Sequence, residues 1–155
     1  MTPGINVAKQ QKISFNIHEY EHDRNSESYG LEAAEKLGVP AEQVFKTLVV
    51  SLDNKQLVVG VLPVSDKLNM KAIAKALGAK KASMAPQAEV ERSTGYVLGG
   101  VSPLGQKKLL KTVIDNSAQQ FSTIFISAGR RGLEIELNPD DLKKILNGKF
   151  ESITS

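Results

Sequence analysis

The stretch Phe45-Lys46-Thr47-Leu48-Val49-Val50-Ser51-Leu52, followed by Asp53-Asn54-Lys55 and then Gln56-Leu57-Val58-Val59-Gly60-Val61-Leu62-Pro63-Val64, decides the fold. Two runs rich in valine and leucine flank a short polar connection. That pattern predicts an antiparallel hairpin with strands over 45–52 and 56–64. Side chains alternate along a strand, so Lys46 shares a face with Leu48, Val50 and Leu52. A lysine at the mouth of an apolar face must snorkel to solvent, meet an anion or line a cavity. The apolar run 57–64 contains Gly60 and Pro63 and is far shorter than the ~20 residues a membrane helix needs.

Outward from the hairpin, helices and strands mix without strict alternation. Thr2-Pro3 caps and starts a helix that ends near Lys12. Residues 14–20 alternate, Phe15 and Ile17 against Asn16 and His18, and read as a strand. A helix over 31–37 stops at Gly38. In 69–77, Met70, Ile73, Ala74 and Leu77 form one apolar helix face, with Lys71 and Lys75 outside. A shorter helix is expected over 86–92, and strands over 112–114, 121–127 and 133–137, the last two joined by Gly129-Arg130-Arg131-Gly132. Asn138-Pro139-Asp140-Asp141 caps and opens a final helix that Gly148 closes. The expected class is α+β (mixed α/β): one domain over 1–155, with a mostly antiparallel mixed sheet or a partly closed barrel flanked by helices.

The chain of 155 residues is long enough to bury a core, and 41% of it is hydrophobic. It contains no cysteine, so it has no disulfide, thiolate metal site or cysteine nucleophile. The start of the chain lacks a basic segment followed by an apolar one, which with the missing cysteines leads us to expect a cytoplasmic protein without a membrane segment. The net charge of +3 has the sign a polyanionic partner needs but is small. Lysines and arginines cluster at Lys67/Lys71/Lys75, Lys80-Lys81, Lys107/Lys108/Lys111 and Arg130-Arg131. Each cluster taken alone is a solvated face; only convergence on one surface would make a nucleic-acid footprint.

The segment 93–108 carries Gly95, Gly99, Gly100 and Gly105 and closes on Lys107-Lys108. Such glycine density suits neither helix nor strand and fits either the wall of a pocket for an anionic ligand or a surface connection. It is not a phosphate-binding P-loop: in Gly100 to Lys107, Gln106 stands where that motif needs lysine and Lys107 where it needs serine or threonine. His18 and His22 are the only histidines. On one strand they would lie ~13 Å apart, too far to share a metal. No nucleophile-elbow motif is present, and Ser102, before Pro103, is expected to shape a turn. Ser127 could satisfy turn backbone or point into a pocket, since it shares a face with Phe121 and Phe125. Tyr20 ends a strand and would pack in the core with its hydroxyl at the rim. Glu134 alternates with Leu133 and Ile135, which by itself points it at solvent. An enzyme so equipped works by positioning, electrostatics and the substrate's own reactive group.

Taken together, Met1-Thr2-Pro3, Glu21-His22-Asp23, Phe45-Lys46-Thr47-Leu48, Ser93-Thr94-Gly95-Tyr96, Gly99 through Lys108, Arg131-Gly132-Leu133 and Glu136-Leu137 resemble the YbaK family of bacterial aminoacyl-tRNA deacylases, related to the editing domain inserted in some prolyl-tRNA synthetases. The resemblance runs nearly end to end. It implies removal of cysteine mischarged onto proline tRNA, in a complex with prolyl-tRNA synthetase, without metal or cofactor, and leaves open whether Cys-tRNA(Cys) is also cleaved. In that family the substrate's thiol attacks its own ester carbonyl and releases a thiolactone. Carried over by position, Lys46, Thr47 and Gly99 are the catalytic candidates, and Tyr20, Tyr29, Gly100, Ser127 and Glu134 the substrate-binding ones. Lys107, Lys108, Arg130 and Arg131 are candidate tRNA contacts. Tyr29 stands where phenylalanine is more usual and Glu134 where aspartate is. Two alternatives follow: a deacylase for alanine or serine on tRNA that uses water, and a non-catalytic module that binds tRNA or a synthetase.

Overall fold

The computed structural model describes residues 1–26 and 28–155, and the side chain of Tyr29 lies outside the described set, so the expected role of Tyr29 falls outside it too. The hairpin forms as expected: β2 (Phe45–Leu52) and β3 (Leu57–Pro63) pair antiparallel from Phe45↔Pro63 to Ser51↔Leu57. They belong to a five-stranded sheet with β4 (Ala82–Met84), β5 (Lys111–Asp115) and β8 (Lys149–Glu151), in the order β4-β2-β3-β5-β8. β3–β5 and β5–β8 are parallel, so this sheet is mixed. A second sheet of β1 (Phe15–Glu19), β7 (Leu133–Leu137) and β6 (Ile124–Arg130), ordered β1-β7-β6, is wholly antiparallel. The chain is therefore α+β with two open sheets rather than one partly closed barrel.

Burial explains the layering. In β3, Val58, Val59, Val61 and Leu62 are all fully buried. Val59 and Val61 join the central core with Ile124, Ile126, Ile135 and Leu137 of the small sheet, whereas Val58 and Leu62 pack on the opposite side with Ile73 and Ala74. A strand covered on both faces reads as an unbroken apolar run. The outer layer of the large sheet is α3 (Met70–Ala76), capped by Asn69. α1 (Pro3–Gln10), with Thr2 as its cap, and α5 (Pro139–Leu146) close the central core through Ile5, Ala8, Leu142 and Leu146. α2 (Tyr29–Leu37) covers the outer face of the small sheet, where Ala33, Ala34, Val44, Val64 and Phe125 form a third cluster. That covering needs Gly30: a Cβ there would lie 2.3 Å from Val64 Cγ1.

Several boundaries move. β6 begins at Ile124, after a 3-10 turn over Asn116–Gln120, and continues through a bulge between Ser127 and Arg130. Phe121 therefore falls outside the strand and packs on the central core, while Phe125 packs under α2. The final helix ends with Asn147, not Gly148, in the left-handed conformation, φ 50°; asparagine tolerates that position. α4 (Gln87–Thr94) runs two residues past its expected end, to the Gly95 cap.

Candidate active site

β4 is short, and its length creates the site. It pairs only with Val50–Leu52 of β2, and the next attachment on that edge is the parallel bridge from Val44 to Phe125. Between those two points the outer edge of β2 has no strand partner among the described residues, and a cavity of about 380 Å³ opens along it. An edge presents both faces of its strand, so the neighbours Lys46 and Thr47 both line the cavity although their side chains leave β2 in opposite directions.

Lys46 is half-buried and donates from Nζ to the carbonyl of Asp66 at 2.7 Å. Desolvation lowers its pKa, with the Asp66 charge working against that. Of the three alternatives for this residue, it takes the cavity, and two ammonium protons remain beyond the Asp66 bond. Thr47 Oγ1 is buried and, among the described residues, is the one buried side-chain polar atom without a hydrogen-bond partner. Leaving such a hydroxyl unmatched costs about 1–3 kcal/mol.

The opposite wall comes from the small sheet. Glu134 and Ser127 face each other across the β6–β7 ladder, and both line the cavity. Glu134 is buried, 6% exposed, because α2 covers the face that strand alternation alone assigns to solvent. Burial pushes its carboxyl up to about 8. At neutral pH it is mostly a neutral acid that can donate a hydrogen bond. Ser127 combines both of its expected roles: it lines the cavity, and its Oγ accepts the N–H of Gly129 at 3.1 Å. Tyr20, just after β1, also lines the cavity; burial and then the Glu134 charge push its phenol up to about 12.

The third wall is the glycine segment. It is not a loose surface connection. Tyr96 is buried and donates to the Leu104 carbonyl, Ser102 Oγ accepts the Leu104 N–H, and Val101 and Leu104 enter the central core. Gly99 lines the cavity at φ 93°, a left-handed conformation that L side chains rarely adopt. Gly100 sits behind it, packed where a Cβ would lie 3.1 Å from Arg130 Cα, and is not part of the lining.

The basic clusters do not converge. Arg130 and Arg131 line the cavity mouth, Arg130 in an exposed pair with Glu19 at 3.0 Å. The Lys107 stem lies along Gly95, and Lys108 borders a separate groove beside α4. Lys71 and Lys75 stand on the exposed side of α3.

Sequence reasoning missed Glu32, which fastens the segment entering the cavity wall. Its carboxylate accepts from His22 Nδ1 and from the Asp23 N–H, both at 2.7 Å, and pairs with Lys36 at 3.4 Å. Lys36 also donates to the Glu21 carbonyl. Burial alone would raise the Glu32 pKa, but the His22 and Asp23 hydrogen bonds and the His22 charge outweigh it and hold it below the usual range. The available signal was a carboxylate beside Ala33 and Ala34 on the buried side of a helix. Met84 and Leu98, both exposed apolar side chains at the rim, were also missed; single exposed apolar residues are too common to signal a site.

The aminoacyl-tRNA editing domain profile matches residues 26–145. A curated relative from Enterococcus faecalis, "Putative Cys-tRNA(Pro)/Cys-tRNA(Cys) deacylase EbsC", is 39% identical over 155 residues, 99% of this chain and 93% of that protein. A proline–tRNA ligase of Shouchella clausii is 41% identical over 76 residues, 49% of this chain and 13% of the ligase. The fold matches the crystal structure of "a putative trans-editing enzyme for prolyl tRNA synthetase" with TM-score 0.87 at 17% identity, covering 99% of this chain and 95% of that one. No helix among the described residues is long and apolar enough to cross a membrane.

Proposed function

This chain belongs to the aminoacyl-tRNA editing domain family, and from that premise we propose that it removes cysteine mischarged onto proline tRNA, acting as a separate trans-editing deacylase. Cysteine and proline are close in size, so a synthetase pocket that sorts by shape separates them poorly and a second sieve is the remedy. Such a substrate assigns the protein to the cytoplasm, beside prolyl-tRNA synthetase, from which a ternary complex would borrow tRNA selectivity.

One observation carries the chemistry: the cavity offers a desolvated ammonium at Lys46 and an unmatched hydroxyl at Thr47, while no histidine or cysteine is among its described lining residues. The cavity therefore supplies charge and hydrogen bonds but no strong nucleophile, and the nucleophile belongs to the substrate. The cysteine thiol attacks the ester carbonyl carbon. A C–S bond forms, the ester C–O bond breaks, and the thiol proton ends on the ribose oxygen, giving a thiolactone and free tRNA. Lys46 orients the tRNA end and stabilises negative charge that develops on oxygen. Thr47 Oγ1 and the protonated Glu134 are the donors that fix the aminoacyl group.

A second reading rests on Glu134. A carboxyl raised to about 8 is close to the value at which a general base activates water. In that case alanine or serine esters would also be hydrolysed.

The test offers Cys-tRNA(Pro), Ala-tRNA(Pro) and Ser-tRNA(Pro) to the purified protein and identifies the released product by mass. Loss of cysteine alone, as thiolactone, is expected. Release of free alanine or serine moves the activity to water attack, and no turnover on any of the three leaves a binding module.

A further inference from the structure

A second groove, of about 500 Å³, is bordered by α4, as the cavity is. α4 borders both: Val90 lines the cavity, while Glu89, Arg92 and Ser93 of the same helix line the groove.

Four cations border the groove, Lys55, Arg92, Lys108 and Lys111, against the single carboxylate of Glu89. That local excess of three equals the net charge of the whole chain, 20 basic minus 17 acidic residues, so the rest of the molecule sums to zero. None of the four is in an ion pair among the described residues.

Their backbone positions are fixed by the fold. Lys55 sits at φ 71° in the β2–β3 turn, its N–H bonded to the Leu52 carbonyl at 2.8 Å. Lys111 opens β5 in register with Val58. The Lys108 N–H donates to the Ser93 carbonyl at 3.1 Å, which ties its loop to the helix that carries Arg92. Cations held apart on a fixed frame, four against one carboxylate, suit a repeating anion better than a single one.

We propose that this groove is a docking site for the phosphate backbone of the tRNA whose aminoacylated end enters the cavity, reached by the acceptor stem as it passes over α4. The inference rests on the proposed editing function for the identity of the polymer. Its contribution is affinity without base reading, because phosphate contacts position a nucleic acid and carry no sequence information.

The experiment uses the full chain and the triple variant Lys55→Ala/Arg92→Ala/Lys111→Ala, with thermal melting to establish that the variant is folded. Both proteins are given Cys-tRNA(Pro) and the cysteine ester of a short CCA-ended oligonucleotide, across a range of NaCl. The variant is expected to raise KM for the tRNA about tenfold or more and to lower the salt dependence of log KM by about three, one per phosphate contact removed. The ratio of kcat/KM on tRNA to that on the short ester falls accordingly. An unchanged KM and salt slope in the folded variant overturns the groove.

Failure of the editing function itself reads differently: the wild type would then cleave neither substrate. Binding of uncharged tRNA(Pro) to the two proteins still decides the groove in that event, a matching loss of affinity and salt slope supporting it and equal binding overturning it. Wild-type binding of an acidic peptide in preference to tRNA also overturns it.

Discussion

Glu32 and Glu134 are each 6% exposed, but only Glu134 lines the cavity. Glu32 has its lone pairs matched by His22, the Asp23 N–H and Lys36, and stays ionised below the usual carboxylate range. Glu134 faces the cavity, and burial drives it to about 8. The first is a satisfied network that joins the 21–23 segment to α2. The second is a carboxyl perturbed by burial, beside Lys46, whose ammonium is desolvated, and Thr47, whose hydroxyl has no partner. Desolvating or leaving polar groups unmatched costs free energy, and the place where three such groups gather marks where a ligand completes the set.

The sharpest way to break that contrast is to remove the cavity's cation. Lys46→Met keeps the apolar stem and deletes the charge. It is expected to lower kcat about 10²–10³-fold, the usual loss when one electrostatic stabiliser of a reacting oxygen is removed. Because the ammonium is desolvated in the free protein, the melting temperature should hold or rise. Single-turnover deacylation and a thermal melt measure the two effects. A large fall in melting temperature with intact turnover would make Lys46 part of the scaffold instead.

The two glutamates also give opposite slopes of stability with pH. For Glu134 the folded value, about 8, exceeds the ordinary 4.5. The folded state then holds the proton that the unfolded state has lost, so the contribution is complete below 4.5 and disappears as pH rises toward 8. Glu134→Gln removes that loss and keeps a hydrogen-bond donor. Relative to wild type, the variant should gain on the order of a few kcal/mol in unfolding free energy between pH 5 and pH 8. Denaturant titrations at stepped pH supply the measurement. Retained cysteine release by this variant supports the substrate-thiol route, whereas its loss supports Glu134 as a base for water.

Much of this architecture was legible in the sequence, for identifiable reasons. The hairpin from Phe45 to Pro63 announces itself by β-branched runs around a polar turn, and the caps at Thr2, Asn69 and Asn138 are local chemistry that needs no tertiary partner. β4 and β8 were not legible, because three-residue strands have no period to read and exist only through their neighbours. Glu134 shows the limit for the site. Alternation correctly puts it opposite Leu133 and Ile135, but whether that face meets water or a helix depends on α2, a hundred residues earlier in the chain. Lys46 was legible as a lysine on the apolar face of a strand, and Thr47 through the resemblance to a family motif. That Thr47 is unmatched follows from where β4 stops, which no local pattern encodes.

On the satisfied side of the contrast, Glu32→Gln should cost about 1–3 kcal/mol of stability, since it weakens three contacts of a buried carboxylate. The low end is expected, because His22 and Lys36 keep 20% and 34% of their side chains in solvent. The sign of its pH dependence is the reverse of that of Glu134. A carboxyl held below its ordinary 4.5 contributes stability above that value and loses it as pH falls through the lower folded one. The variant and wild type should therefore converge in acid. A gap that persists once acid has protonated the carboxyl in both folded and unfolded states would show that Glu32 acts through packing and not through its charge.

The smallest effect, and the most direct probe of an unmatched group, belongs to Thr47. Replacing a hydroxyl normally exposes the partner it leaves behind, but Thr47 Oγ1 has none in the free protein, so Thr47→Val removes a burden without creating one. Stability should rise by up to about 1 kcal/mol, or roughly 2–4 °C in melting temperature for a chain of this size. Turnover should move the other way, because the hydroxyl is matched only when the aminoacyl group arrives. An interaction formed with substrate and transition state alike would raise KM alone, whereas one completed in the transition state would lower kcat. A variant that gains stability while losing kcat/KM would show that the unmatched atom is held in reserve for the ligand. If stability falls instead, the hydroxyl has a partner within the folded protein, and the contrast with Glu32 does not extend to Thr47.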